Sequence, residues 1–179
     1  MAVTQSRLMT VEEFRRLPES GPVSYELRNG ELVEVTRPNF RHHRLQERFV
    51  ELLQVASAGQ GHVSWEVAFR AMPEYELRVA DVAWVTQDRW DSVDPEDNLH
   101  GAPELVIEVL SPSNSAAEIF EKEQLCLEHG CLEFWVVDAN RRQIRVSTPD
   151  GPAKVYRSGQ EIPLRLFGGG SLRVDEVFA

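Results

Sequence analysis

The stretch Gly101-Ala-Pro-Glu-Leu-Val-Ile-Glu-Val-Leu-Ser-Pro-Ser113 decides the fold. Pro103 opens it, Pro112 closes it, and between them runs an apolar, β-branched segment of strand length. That is the pattern of a strand buried on both faces. Glu108 lies inside the run, between Ile107 and Val109. An ionised carboxylate there costs several kcal/mol in lost hydration unless a cation, a metal or strong donors compensate it. The flanking sequence is therefore read for what could compensate it.

Downstream, Ser115-Ala-Ala-Glu118 is a capping box and predicts a helix ending near Gly130. Ile119, Phe120, Cys126 and Leu127 form its expected buried arc, with Lys122 on the flank. Such a lysine can cover apolar surface with its stem and place its ammonium at the sheet edge or in solvent. Glu133–Asp138 reads as the next strand, with Ile144 and Val146 on its partner beyond an Arg141-Arg142 turn. The remainder, through Gly168-Gly-Gly170, reads as short terminal strands and loops without a phosphate-loop pattern.

Upstream, Leu77–Val85 predicts a strand with a second embedded acid, Asp81. Val63–Arg70 predicts the strand before it, and the aspartate-rich Gln87–His100 reads as surface loop. Asn39 can cap a helix running to about Ser57, with Leu45, Phe49, Leu52, Leu53 and Ala56 on one apolar face. Its first turn, Arg41-His42-His43-Arg44, is the densest basic stretch and is expected to be largely solvated. Adjacent helical histidines diverge, so they do not make the two-ligand site of an i, i+4 pair. Tyr25–Val35 reads as a hairpin about Asn29-Gly30, with Arg28 opposite Glu31 as a surface pair. Thr10-Val-Glu-Glu13 is another capping box, opening a short helix with Val11 and Phe14 buried.

The 179 residues, 42% hydrophobic and 27% charged, suit one globular domain spanning 1–179. The formal net charge of −10 confines any nucleic-acid contact to a local basic patch, or to a divalent ion that offsets the carboxylates. Cys126 and Cys131 provide neither a disulfide framework nor a zinc set and read as reduced thiols. No apolar run reaches the roughly 20 residues that span a bilayer, and Met1–Met9 lacks a signal-peptide core. A cytoplasmic protein without a membrane partner is expected.

If the strands carrying Asp81 and Glu108 pair, their carboxylates come within a few ångströms. Like charges that close drive a proton back on unless a cation lies between them. Mg²⁺ accepts one or two carboxylates and keeps several waters, and beside a lysine it suits phosphodiester hydrolysis. Alternatively each acid could lie at a strand end or pair with Arg70 or Arg78. The residues alone leave both readings open.

The chain resembles the Uma-two family of restriction-endonuclease-like proteins, within the PD-(D/E)xK nuclease superfamily. The matching segments are Met9–Phe14, Tyr25–Glu34, His43, Val79–Val85, Gly101–Ser113, Lys122 and Gly130–Asp138. The resemblance implies an α/β fold: a restriction-endonuclease-like core over about 39–147, a mixed sheet flanked by helices, preceded by a helix and β-hairpin. It implies that Asp81 and Glu108 hold Mg²⁺ or Mn²⁺ and that DNA is the substrate of a metal-dependent endonuclease. Lys122 would act for the lysine that most of the superfamily carries two residues after the strand acid, where Leu110 stands here. Glu31 and His43 match further family positions. Ala80, Glu118, Cys126 and Ala139 depart from the pattern, where proline, aspartate, tyrosine and proline are usual. Arg41 to Arg44 or other local basic residues are the candidate duplex contacts, and cutting both strands would need two active sites, for which a homodimer is one arrangement. A nuclease-like fold that no longer cleaves and serves as a binding or assembly module is the alternative, and a non-nuclease metal-dependent hydrolase is a third.

Overall fold

The computed structural model describes residues 7–18, 23–36, 38–112 and 114–179; Ser113 and residues 1–6 of the readings above lie outside the described residues. Helix α1 (Val11–Phe14) is followed by the hairpin β1 (Ser24–Arg28) and β2 (Glu31–Val35), then α2 (Phe40–Ser57). Next come β3 (Gly61–Arg70), β4 (Arg78–Thr86), α3 (Gln87–Ser92), β5 (Leu99–His100) and β6 (Leu105–Val109). Then follow α4 (Ala116–Glu128), β7 (Glu133–Asp138), β8 (Gln143–Ser147), β9 (Lys154–Arg157) and β10 (Glu161–Pro163). A 3₁₀ turn (Arg165–Phe167), β11 (Ser171–Arg173) and α5 (Val174–Val177) complete the described chain.

Seven strands form one mixed sheet in the order β5-β3-β4-β6-β7-β8-β9. The two pairs β6–β7 and β3–β5 are parallel, and the other neighbours are antiparallel. The parallel β6–β7 pair needs a crossover, and α4 supplies it. Every residue of β6 and of β7 is buried, as a strand covered on both faces requires. Alternation along the strands sorts the core into two layers. Val82, Trp84, Leu105, Ile107 and Val109 pack with Leu45, Phe49 and Leu53 of α2. Ala83, Val85, Val106, Phe134 and Val136 pack with Ile119 and Cys126 of α4.

Both capping boxes form: Thr10 and Ser115 each accept from the backbone three residues on, and Glu13 and Glu118 reach back. Asn39 caps α2 by accepting from the His42 amide at 3.0 Å. The hairpin has the expected register, Leu27 opposite Leu32 and Arg28 opposite Glu31. Its turn uses positive φ at Asn29 (47°) and Gly30 (75°), which is why this dipeptide stands there. The hairpin docks on the segment before β4 through reciprocal Leu27–Leu77 backbone bonds of 2.9 and 3.0 Å.

Two expectations are corrected. Gln87–His100 is not all loop, for it contains α3 and the short β5 that extends the sheet. Helix α3 buries no residue and has no side-chain cap, so neither periodicity nor a capping signal marks it. Phe120 is 62% exposed and lies outside the buried arc, whereas Lys122 and Glu123 are buried. The face of α4 that meets the sheet is thus rotated toward residues 119, 122, 123 and 126, because ion pairs hold the two charged positions inside.

Phe49 is fully buried with its ring edge-on to Trp135. Phe49→Ala is expected to lose about 3–5 kcal/mol in urea unfolding, while Phe120→Ala stays within about 0.5 kcal/mol.

Candidate active site

Antiparallel pairing sets Val82 opposite Ile107, and continuing that register one pair brings Asp81 opposite Glu108. Directly opposed residues point to the same side of the sheet, here the side on which Ala83, Val85 and Val106 meet α4. The regular ladder stops at this pair, and side chains take over the backbone groups. Asp81 Oδ2 accepts from the Val109 amide at 2.7 Å, and Glu108 Oε1 accepts from the Asp81 amide at 3.3 Å. Each acid thereby ties down the other's strand. Asp81 keeps 23% of its side chain exposed, whereas Glu108 is 7% exposed. One carboxylate faces the solvent edge and the other is sealed behind it.

Lys122 supplies the compensation that Glu108 requires. Its Nζ donates to Glu108 Oε2 at 2.8 Å and to the Val79 carbonyl at 2.7 Å, and lies 3.9 Å from Glu26 Oε1. Burial pushes the Glu108 carboxyl up to about 7, with Lys122 opposing and Asp81 adding to the rise. Burial works to lower the Lys122 ammonium, but Glu108, Glu26 and Asp81 outweigh it and hold it above the usual lysine value.

Glu26 was not marked by the sequence reading. It is buried on β1, accepting from the Val79 amide at 2.9 Å and from Arg28 Nε at 3.0 Å. Burial tends to raise its carboxyl, but Lys122, the Val79 amide, Arg28 and Arg78 bring it below the usual value. Arg28 also donates to Glu118 at 2.9 Å, so its ion pairs go to Glu26 and Glu118 rather than across the hairpin to Glu31. The fully buried Arg78 is taken by Glu76 at 2.6 Å and Glu121 at 2.7 Å, and Arg70 by Asp97 at 2.9 Å. Neither arginine is paired with Asp81 or Glu108 among the described residues, so the arginine reading of the two acids is not what the structure displays.

Helix α2 brings its first turns to the same edge. Gln46 donates to the Asp81 carbonyl at 3.2 Å and approaches Oδ1 at 3.4 Å. His42, 9% exposed, has Nε2 3.0 Å from Asp81 Oδ2. Burial works to lower its pKa, but Asp81, with Glu108 and Glu66, raises it above the ordinary value. His43 stands elsewhere on the helix, half-exposed, 3.5 Å from Glu47 and edge-on to Trp65. Glu31 is exposed on β2, and no hydrogen bond or ion pair among the described residues links it to the cluster. The structure thus brings Asp81, Glu108 and Lys122 together and adds Glu26, His42 and Gln46, while Glu31 and His43 stand apart. The missed histidine had a signal: His42, Leu45, Gln46, Phe49 and Leu53 follow helical spacing and are all buried. Glu26 had none, because its burial depends on residues far along the chain.

Among the described residues, no three His, Cys, Asp or Glu side chains are arranged to enclose an ion. Two opposed carboxylates, one reaching solvent, nevertheless suit Mg²⁺ or Mn²⁺, which fill most of their shell with water and phosphate oxygens. The thiols of Cys126 and Cys131 are free and buried. Burial pushes the Cys131 thiol up to about 12, so it is no candidate nucleophile.

A mixed sheet with two acids on paired strands and a buried lysine from the crossover helix defines the α/β class of restriction-endonuclease-like proteins. The family model Uma2, described as "Putative restriction endonuclease", matches residues 11–175, and the chain belongs to this family. Among solved structures, the chain is similar to a putative nuclease belonging to DUF820 from Anabaena variabilis ATCC 29413. The TM-score is 0.81 at 21% identity, over 95% of this chain and 97% of that one, a likeness of fold. No curated protein matches the chain. No helix among the described residues is long and apolar enough to cross a membrane.

Two outcomes follow for stability. Lys122→Met leaves Glu108 buried without its cation and is expected to cost about 3–5 kcal/mol in urea unfolding, with a large part recovered in the Lys122→Met, Glu108→Gln double variant. Glu118 is held at about 2, below its usual 4.5, by the Ser115 amide, the Ser115 hydroxyl and Arg28. A folded-state value below the unfolded one contributes stability above pH 4.5 that is lost as pH falls toward 2. Denaturation midpoints between pH 6 and about 2.5 should therefore decline less steeply in Glu118→Gln than in the wild type.

Proposed function

We propose that this chain is a divalent-metal-dependent endonuclease that hydrolyses DNA phosphodiester bonds. Asp81 and Glu108 would hold Mg²⁺ or Mn²⁺, and Lys122 would act beside them. The observation that carries this reading is the opposed Asp81–Glu108 pair with Lys122 on its buried side, in a chain of the Uma2 family. Strand acids that served only the fold would be expected to pair with neighbouring arginines, which here bind other partners. In this reading the nuclease core spans about residues 39–147.

A bound ion supplies positive charge beside the phosphate and lowers the pKa of water there. The chain's own residues do the rest. Lys122 fixes the Glu108 carboxylate, and the surrounding acids keep its ammonium protonated. It is therefore a cation and hydrogen-bond donor toward an attacking water or a phosphate oxygen, not a proton acceptor. A phosphodiester would reach the pair at the exposed margin of Asp81. Gln46 and the Val109 amide limit the rotation of the Asp81 carboxylate. Arg41 is engaged with the Ala139 carbonyl and Asn140. Arg48 is likewise held by Glu51 and the Glu176 carbonyl, and Arg142 by the Phe178 carbonyl, so of the basic first turn Arg44 is the residue we assign to contact with the phosphate backbone. Double-strand cutting would use two copies of the chain.

The test is nicking of supercoiled plasmid in Mg²⁺ or Mn²⁺. Wild-type protein is expected to nick or linearise it, Asp81→Ala and Glu108→Ala to abolish cleavage, and Lys122→Ala to slow it at least about 100-fold. Cleavage that survives both acid substitutions would overturn the site. Absence of cleavage by the wild type, with no divalent-ion binding, would favour a binding module on a nuclease fold.

A further inference from the structure

We propose that His42 is the third protein ligand of the ion that Asp81 and Glu108 would hold, and that its nitrogen makes the site favour transition-metal ions over Mg²⁺. This rests on the metal-site reading above. His42 is 9% exposed, and neither of its buried ring nitrogens has a well-aligned hydrogen-bond partner among the described residues. A buried polar atom left without a partner is rare and calls for an explanation, such as an ion. The side chain is not loosely placed. The Asn39 cap fixes the His42 amide, and Leu45 and Phe49, one and two turns on, anchor the helix in the core.

The contact with Asp81 has the spacing of two ligands as much as that of a hydrogen bond. Nε2 lies 3.0 Å from Asp81 Oδ2 but is poorly aligned to donate to it. Two donors bound side by side to one ion at about 2.1 Å each lie about 3.0 Å apart. That oxygen's good hydrogen bond comes from the Val109 amide at 2.7 Å. The third donor, Glu108, is drawn toward Lys122 through Oε2, while its Oε1 is held only by the 3.3 Å contact with the Asp81 amide. This explains why three ligands do not already converge, and Oε1 is the oxygen available to an ion. Two carboxylates and one imidazole form a mixed oxygen and nitrogen set. Mg²⁺ prefers oxygen throughout, whereas first-row transition ions accept imidazole readily.

The test uses the full chain with Mn²⁺ or Mg²⁺ alone and requires no cleavage. Pulsed EPR of the Mn²⁺ complex is expected to show coupling to a histidine nitrogen in the wild type and in His43→Gln, and none in His42→Gln. Calorimetry is expected to show Mn²⁺ binding weakened about tenfold or more in His42→Gln, with Mg²⁺ binding less affected. The wild-type spectrum stands whether or not the variant is less stable. Mn²⁺ bound in an Asp81-dependent manner without nitrogen coupling would overturn the role of His42 and leave the two-acid site standing. Mn²⁺ binding that is absent, or that Asp81→Asn leaves unchanged, would overturn the site reading and this inference together.

Discussion

The structure turns on the ion pair between Lys122 and Glu108, 2.8 Å long and buried at both ends. A carboxylate in the middle of an all-buried strand is unfavourable by several kcal/mol unless a charge meets it. The chain meets it from the crossover helix that a parallel β6–β7 pair requires in any case. Topology and electrostatics therefore specify the same residue position on α4. Glu26 and the Val79 carbonyl complete the shell around the ammonium. Replacing such a pair with apolar residues of similar volume is often neutral or stabilising. Stability is thus a poor reason for its presence, which makes a chemical reason the better account.

The same arrangement explains why an N-terminal hairpin belongs to this fold. β1 and β2 form a sheet of their own, yet Glu26 and Arg28 project from β1 into the charged layer beneath β4. The backbone bonds to Leu77 hold the hairpin in register with that layer. At the neighbouring edge, the ladder between β4 and β6 gives way to bonds from the Asp81 and Glu108 side chains to backbone amides. The β3–β4 ladder is likewise interrupted beside Asp81, where Glu66 takes a positive φ of 50°.

Most of the framework was legible in the sequence, because its signals are local. The Asn29-Gly30 turn, the caps at Asn39 and Ser115, and the breaker-bounded run around Glu108 each act over a few residues. Asp81 and Glu108 stood out because an acid inside an apolar strand is costly wherever the strand lies. The depth of Lys122 was not legible. A helical wheel gives its direction, but only the packed sheet and the acids beneath it draw the side chain inside. Glu26 carried no local signal, since its partners lie about fifty and a hundred residues away. Between adjacent histidines, motif resemblance pointed to His43, whereas spacing from Leu45 and Phe49 points to His42. Helix α3 had no buried face to reveal it.

The most direct test of the central claim, that the Asp81–Glu108 pair is built to receive a divalent ion, is the melting temperature of the full chain during Mg²⁺ and Mn²⁺ titration. A ligand that binds only the folded state must raise it, by the equivalent of about 2.7 kcal/mol when the ion stands at a hundred times its dissociation constant. The account predicts a saturable rise in the wild type that is lost in Asp81→Asn. A wild-type melting temperature that does not respond to either ion, or a rise that Asp81→Asn retains in full, would contradict it.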